Sequence, residues 1–287
     1  MKTLRIVIKT IGVILSLLLL AALIGIVWSQ RLTAEEYSEE LDGINGDVKI
    51  VFLSDLHGKE FGKNNVKVAE LIREQQPDII AVVGDLIDRN SDAEDIEKMC
   101  SFVSMLPDIA PTYFTIGNHE KNYFDKHGSG FLEELQKIGV TVLECEYEDL
   151  TVNGTTFRLG GMSELAYYGG DGKYDPKAEP FLKEYCDTDL PKVMFSHRPE
   201  AFGFKYALQD WDVDLVLSGH THGGLVRLPV IGGLFAPIQG MFPYFYYGEY
   251  TEYNSKIIIT SGLAGYEGFP RMYNPPEIAV VTLTAKG

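Results

Sequence analysis

Five short apolar runs in this chain each stop at a residue able to bind a metal, and no other feature limits the fold as much. Val51-Phe52-Leu53-Ser54 leads to Asp55-Leu56-His57, and Ile79 to Gly84 leads to Asp85. Tyr113 to Gly117 leads to Asn118-His119, Val193 to Ser196 leads to His197, and Leu215 to Gly219 leads to His220-Thr221-His222. Runs of this length rich in Val, Ile and Phe read as buried strands. In open α/β sheets, ligands bind beyond the carboxyl ends of the strands, where the scaffold holds side chains rigidly. A chain that ends five strands this way is expected to gather those residues at one end of a sheet.

Spacing and chemistry point the same way. Asp55/His57 and His220/His222 are i, i+2 pairs, and an extended backbone would turn both members of each pair to one side. Imidazole nitrogen with carboxylate or amide oxygen, and no thiolate, suits Mn, Fe or Zn better than copper(I) or an iron–sulfur cluster. Of six histidines, only His127 lies outside the clusters, and it reads as a surface residue. Alone, Asp85 could be a helix cap and Asn118 a turn residue. Five strand ends doing this together favour a metal site.

Between the strands the pattern switches to helical periodicity. Strands are expected at 48–54, 78–84, 112–117, 141–145, 150–152, 156–159, 192–196, 214–218, 256–260 and 278–283. Helices are expected at 65–75, 92–106 and 130–138. Early βαβ alternation implies parallel strands and the later half is richer in β, so the class is mixed α/β in one domain over residues 48–287.

Residues 1–9 carry Lys2, Arg5 and Lys9 and no acid, and residues 11–28 are uncharged. That length just suffices for a transmembrane helix and exceeds a typical signal-peptide core. No A-x-A site follows, which favours an uncleaved anchor at 1–31 over a secreted form. The basic amino end should stay cytoplasmic, placing the remainder outside the cell membrane. Residues 32–47 are polar and acidic and read as a linker. A net charge of −16 makes nucleic acid a poor default partner. Cys100, Cys145 and Cys186 lack metal-binding spacing, which excludes a zinc knuckle and leaves three small buried residues as the preferred reading.

Together, Asp55-x-His57, Gly84-Asp85-x-x-Asp88, Gly117-Asn118-His119-Glu120, the isolated His197 and Gly219-His220-x-His222-Gly223-Gly224 resemble the five motifs of the calcineurin-like metallophosphoesterases, in the family's order. Asn274-Pro275-Pro276-Glu277-Ile278 is similar to a branch tethered to the membrane by an amino-terminal segment. The resemblance implies two packed mixed β-sheets flanked by helices. It also implies two divalent ions, one held by Asp55, His57, Asp85 and His222, the other by Asp85, Asn118, His197 and His220. Asp85 would bridge them, and His119 would face the substrate as a non-ligand acid. Leu225 departs from the glutamine expected after the paired glycines, which could alter the pocket rim.

Such a pair of ions clamps an in-line displacement and acidifies a bound water, so a hydroxide is expected to attack phosphorus with no covalent intermediate. Asp88 and Glu120 are read as supports that orient histidines or backbone. Arg89, Arg198 and Arg271 could contact phosphate, although an ordinary surface or salt-bridge role is preferred for each. The aromatic-dense stretch 241–253 is read as core strands in preference to a pocket wall or a membrane patch. The expected substrate is a phosphoester, a diester ahead of a monoester, that is lipid-linked or part of the cell envelope. A non-catalytic metal-binding scaffold acting in protein interactions is the alternative. It should have lost ligands or His119, and all eight positions are intact.

Overall fold

Strand Val48–Leu53 shows how the layers arise in the computed structural model, which describes residues 2–162, 178–203, 211–253, 255–266 and 269–287. Alternate side chains of a strand point to opposite faces. Val51 and Leu53 enter one apolar cluster, and Ile50 and Phe52 enter another.

In chain order the first elements are α1 (Lys2–Trp28), β1 (Thr33–Leu41), β2 (Val48–Leu53), α2 (Val66–Glu74), β3 (Ile79–Val83) and α3 (Ala93–Val103). Next come β4 (Thr112–Thr115), α4 (Asn118–His127), α5 (Gly130–Lys137), β5 (Val140–Val142), β6 (Glu146–Val152), β7 (Thr155–Met162) and α6 (Ala178–Cys186). Then follow β8 (Lys192–Ser196), α7 (Glu200–Gly203), β9 (Leu215–Ser218), and two small hairpins, β10 (Arg227–Leu228) with β11 (Gly232–Gly233) and β12 (Phe235–Ala236) with β13 (Gly240–Met241). The last three are β14 (Gly248–Glu252), β15 (Ser255–Ile259) and β16 (Glu277–Ala285).

Two six-stranded mixed sheets form, ordered β1-β16-β2-β3-β4-β5 and β14-β15-β9-β8-β7-β6. Ile50, Phe52, Ala81 and Val83 of the first sheet meet Phe157, Leu159, Val193, Phe195, Leu215 and Leu217 of the second in a shared core. The outer face of the first sheet packs on α2, α3 and α5, and that of the second on α6. This is the sandwich of two mixed sheets between helices that the motifs led us to expect.

The linker is not borne out. Thr33–Leu41 pairs in parallel with β16 along its whole length, from Thr33 opposite Glu277 to Leu41 opposite Ala285. Its acids mislead because it is an edge strand. Glu36 and Glu40 point outward while Tyr37, Leu41 and the buried Glu39 face inward, and charge on an edge discourages further pairing. Only residues 29–32 therefore separate α1 from the sheet.

Helix α1 is the one helix among the described residues long and apolar enough to cross a membrane. Its last turns touch the domain. The Tyr273 hydroxyl donates to Ala21 O at 2.6 Å, Tyr273 N to Gly25 O at 3.1 Å, and Asn274 N to Ser29 Oγ at 2.9 Å. Gly25 makes this possible, since a Cβ there would lie 2.6 Å from the Met272 and Tyr273 side chains.

Glu277 begins β16 fully buried. One carboxylate oxygen accepts from Ser261 N and Thr260 Oγ1, and the other has no hydrogen-bond partner. Burial pushes its pKa up to about 7. Unfolding restores an ordinary value near 4.5, so the folded state holds the proton more tightly and stability is lost as pH rises between those values. The loss amounts to roughly 3 kcal/mol for a shift of this size. Thermal unfolding of Glu277→Gln is expected to vary less between pH 5 and 8 than that of the parent protein.

Candidate metal centre

Loops from both sheets build one cluster. Asp55 and His57 follow β2, Asp85 follows β3, and Asn118 and His119 open α4 just after β4. His197 follows β8, and His220 and His222 follow β9. Backbone bonds zip the first loops together, with Asp55 N donating to Gly84 O at 3.1 Å and His57 N to Asp85 O at 3.0 Å.

The convergence does not come from extended backbone, as the i, i+2 spacing suggested. Asp55, His57, Asp85, His220 and His222 all have positive φ, between 47° and 69°. Left-handed conformations at non-glycine residues cost about 1–3 kcal/mol each and collect at functional sites. The loops after β2, β3 and β9 curl as they leave their strands, so their ligand-type side chains fold back toward a common point. Gly84 shares this conformation and is crowded. A Cβ there would lie 2.7 Å from both Gly117 Cα and His197 Nδ1.

Two largely buried nests result among the described residues, Asp55 with His57 and His222, and Asp85 with His197 and His220; a third, half-buried group of His57, Asp88 and His119 lies beside them. Asp55 Oδ1 lies 3.8 Å from Nε2 of both His57 and His222. Asp85 Oδ2 lies 3.6 Å from His57 Nε2 and 3.1 Å from His197 Nε2, between the two nests. Donors bound to one ion at about 2.1 Å sit roughly 3–3.5 Å apart around it, so the spacing suits shared cations.

Hydrogen bonding separates the outward atoms from the inward ones. Asp55 Oδ2 accepts from His220 N and from Ser54 Oγ, and Asp85 Oδ1 accepts from His119 N at 2.8 Å. Asp55 Oδ1, Asp85 Oδ2, Asn118 Oδ1 and His220 Nε2 are buried with no hydrogen-bond partner. Buried oxygens left bare cost several kcal/mol unless a cation satisfies them. His197 Nδ1 lies 2.9 Å from Val83 O and His222 Nδ1 lies 3.3 Å from Ala264 O. A carbonyl can only accept, so each Nδ1 carries the proton and each Nε2 offers a lone pair. The residues present therefore fit two divalent ions.

Charge follows from burial. Burial pushes His222 down to about 4 and His220 also well down, so both are neutral and ready to ligate. Burial alone would raise the Asp85 carboxyl, but His197 and His57 outweigh it and hold the group well below the carboxylate range. Asp55 is lowered against the same opposing burial by His222 and His57.

Asp88 and Glu120 brace this arrangement. Glu120 is buried; its carboxylate accepts from Asp85 N at 2.8 Å, Gly117 N at 2.9 Å and Ile87 N at 3.0 Å, tying the loop after β3 to the start of α4. Burial and the nearby Asp85 raise its pKa to about 7. Asp88 Oδ2 lies 3.1 Å from His119 Nδ1 and 3.9 Å from His57 Nδ1.

A cavity of about 360 Å³ opens on the cluster, and His57, His119 and His222 line it with Lys59, Arg89 and Tyr266. Sequence reasoning missed Lys59 and Tyr266; the only signal was that Lys59 lies two residues beyond His57. Arg271 corrects both readings offered for it. It is buried, does not line the cavity, and donates to the carbonyls of Ser261, Asn274 and Pro275. Leu225 is buried and likewise not at the rim. Asn274 Nδ2 donates to His222 O at 2.7 Å and to Leu225 O, which holds the last ligand loop. The aromatic stretch is not mainly core. Phe245 is buried, whereas Phe242, Tyr244 and Tyr253 are exposed. Each of the three cysteines is only partly buried, and none forms a disulfide.

The sequence profile of calcineurin-like phosphoesterases matches residues 48–224, which contain every ligand-type residue described above. The chain belongs to this family. Among calcineurin-like relatives, it is 30% identical over 194 residues to phosphodiesterase YaeI of Escherichia coli K12, covering 67% of this chain and 66% of that one. It is 32% identical over 257 residues to an uncharacterized metallophosphoesterase of Campylobacter jejuni, covering 86% and 62%. It is 29% identical over 268 residues to a transmembrane protein with metallophosphoesterase domain of Danio rerio, covering 88% and 56%. The chain thus spans between about half and two thirds of the length of these relatives.

Proposed function

We propose that this protein is a membrane-anchored phosphoesterase with a dinuclear centre, favouring diesters and facing the outside of the cell. The observation that carries the reading is Asp85 Oδ2, buried without a hydrogen-bond donor and set between His57 and His197. Asp55, His57, Asp85 and His222 would hold one divalent ion, and Asp85, Asn118, His197 and His220 the other, with Mn, Fe and Zn all compatible with these donors. When bound, the pair supplies Lewis acidity toward a phosphoryl oxygen and an activated water.

The chain's own groups do the rest. Lys59 and Arg89 bring positive charge to the cavity wall, where a phosphoester anion is steered despite the acidic surface. His119 Nδ1 is occupied by the protein, with Asp88 Oδ2 at 3.1 Å and the backbone N–H of Arg89 donating to it at 3.3 Å, which leaves Nε2 as the nitrogen for a leaving oxygen. The anchor, with its basic amino end inside, supports an extracytoplasmic site and a substrate drawn from the envelope, lipid-linked substrates included. An intact set of seven ligand-type residues and His119 speaks against a scaffold without activity.

The test uses the full chain in detergent with an aryl phosphodiester and the matching monoester. Hydrolysis with Mn²⁺, its loss on chelation, and a higher kcat/KM for the diester are expected. Full activity after chelation would overturn the dinuclear account.

A further inference from the structure

The hairpins after the last ligand loop have exposed apolar tips. Val230 and Ile231 cap the first, Ile238 caps the second, and Met241 and Phe242 close it, all more than half exposed. In residues 223–248 the only charged side chain is Arg227, in a chain of net charge −16. An exposed apolar patch of this kind marks an interaction surface.

What covers the patch follows from its neighbours. Arg227 N donates to Met272 O at 3.0 Å, and Val226 bridges to Met272, so the first hairpin rises from the segment that clasps α1. That segment reaches down the helix. Tyr273 bonds to Ala21 O, seven residues before Trp28, or about 10 Å along the axis. On α1 Ala22 and Ile26 are half-buried and Gly25 is buried, and Ser29 just beyond the helix continues this face toward the domain. The domain edge beside the hairpins therefore lies at the level where α1 leaves the bilayer, with Trp28 and Arg31 stacked there.

The same hairpins touch the cavity. Tyr266, on the cavity wall, lies 5.9 Å from the His222 ring and 6.0 Å from the ring of Phe235 in β12. Phe235 thus joins the second hairpin to the cavity wall.

We infer that the tips Val230, Ile231, Ile238, Met241 and Phe242 dock into the outer surface of the bilayer that α1 crosses. The patch is a second membrane contact, and it seats the cavity mouth against the lipid headgroups. Its bearing on substrate rests on the phosphoesterase reading above; the docking itself does not.

The experiment places the unmodified full chain in nanodiscs of phosphatidylcholine with a small fraction carrying a diazirine in the acyl chain. After illumination, lipid adducts are mapped by mass spectrometry. Adducts are expected on residues 230–242 as well as on α1. In the double variant Ile231→Glu/Phe242→Glu, those on 230–242 should fall at least about ten-fold while those on α1 persist. Adducts confined to α1 in the unmodified chain would overturn the proposal, and so would cross-links joining 230–242 to a second protein copy in place of lipid. Because the readout requires no hydrolysis, its failure is distinct from failure of the proposed activity. If docking holds and the chain is a phosphoesterase, the double variant should keep its rate on a soluble aryl diester.

Discussion

Asp85→Asn is expected to lower hydrolysis of an aryl phosphodiester by at least roughly a thousand-fold, the upper range for loss of one preorganised electrostatic group. Asparagine keeps the shape of the side chain and one acceptor oxygen, so the 2.8 Å bond from His119 N can persist. What changes is the second position, now Oδ2, 3.1 Å from His197 Nε2 and 3.6 Å from His57 Nε2. An amide NH₂ there is neutral and a donor, and it can no longer be shared between two cations. Metal analysis should show fewer than two ions per chain, and far-ultraviolet circular dichroism should be unchanged. A variant that retains two ions and most of the parent's rate would remove Asp85 from the bridging role.

How far this site was legible depends on which physical signal each part leaves in the chain. Ligand-type residues announce themselves because His, Asp and Asn are unusual at the ends of buried apolar runs, and five such ends survive any error of two residues in strand limits. Their conformation left no signal. Nothing in Asp55-Leu56-His57 marks a left-handed turn, which is imposed by the bonds to Gly84 O and Asp85 O on the neighbouring loop. β1 was hidden for a related reason. Its partner β16 lies at the other end of the chain, and parallel pairing at an edge leaves one face wet, so its acids resemble a linker. α4 leaves no periodic signal because its charged sequence is held by the Gly117–Glu120 box and the site, not by an apolar face. The supports contributed by carbonyls, such as Val83 O and Ala264 O, cannot be seen in side-chain identities at all.

His119→Ala should separate binding of the ions from protonation of the leaving group. His119 is read as no ligand, although its backbone N–H braces Asp85, and alanine preserves that N–H. The variant is therefore expected to keep two ions per chain while its kcat on diesters with an alkoxide leaving group falls by about 10²–10⁴, the usual worth of a general acid. Burial lowers the His119 pKa, and Asp85 and Asp88 pull it back up. With Nδ1 engaged by Asp88 at 3.1 Å and by the Arg89 N–H at 3.3 Å, the ring meets a leaving oxygen through Nε2. The need for that proton depends on the leaving oxygen. A nitrophenolate departs without help, whereas an alkoxide does not. The defect should thus be small for a nitrophenyl ester and should deepen steadily along a series of diesters as the leaving alcohol becomes less acidic. A constant defect across the series, with both ions retained, would make His119 a phosphoryl-binding group and not an acid. Loss of an ion would place it among the ligands instead. The leaving-group series and the metal count together therefore decide between acid, phosphoryl-binding group and ligand for this histidine, which is wedged between His57 and Asp88.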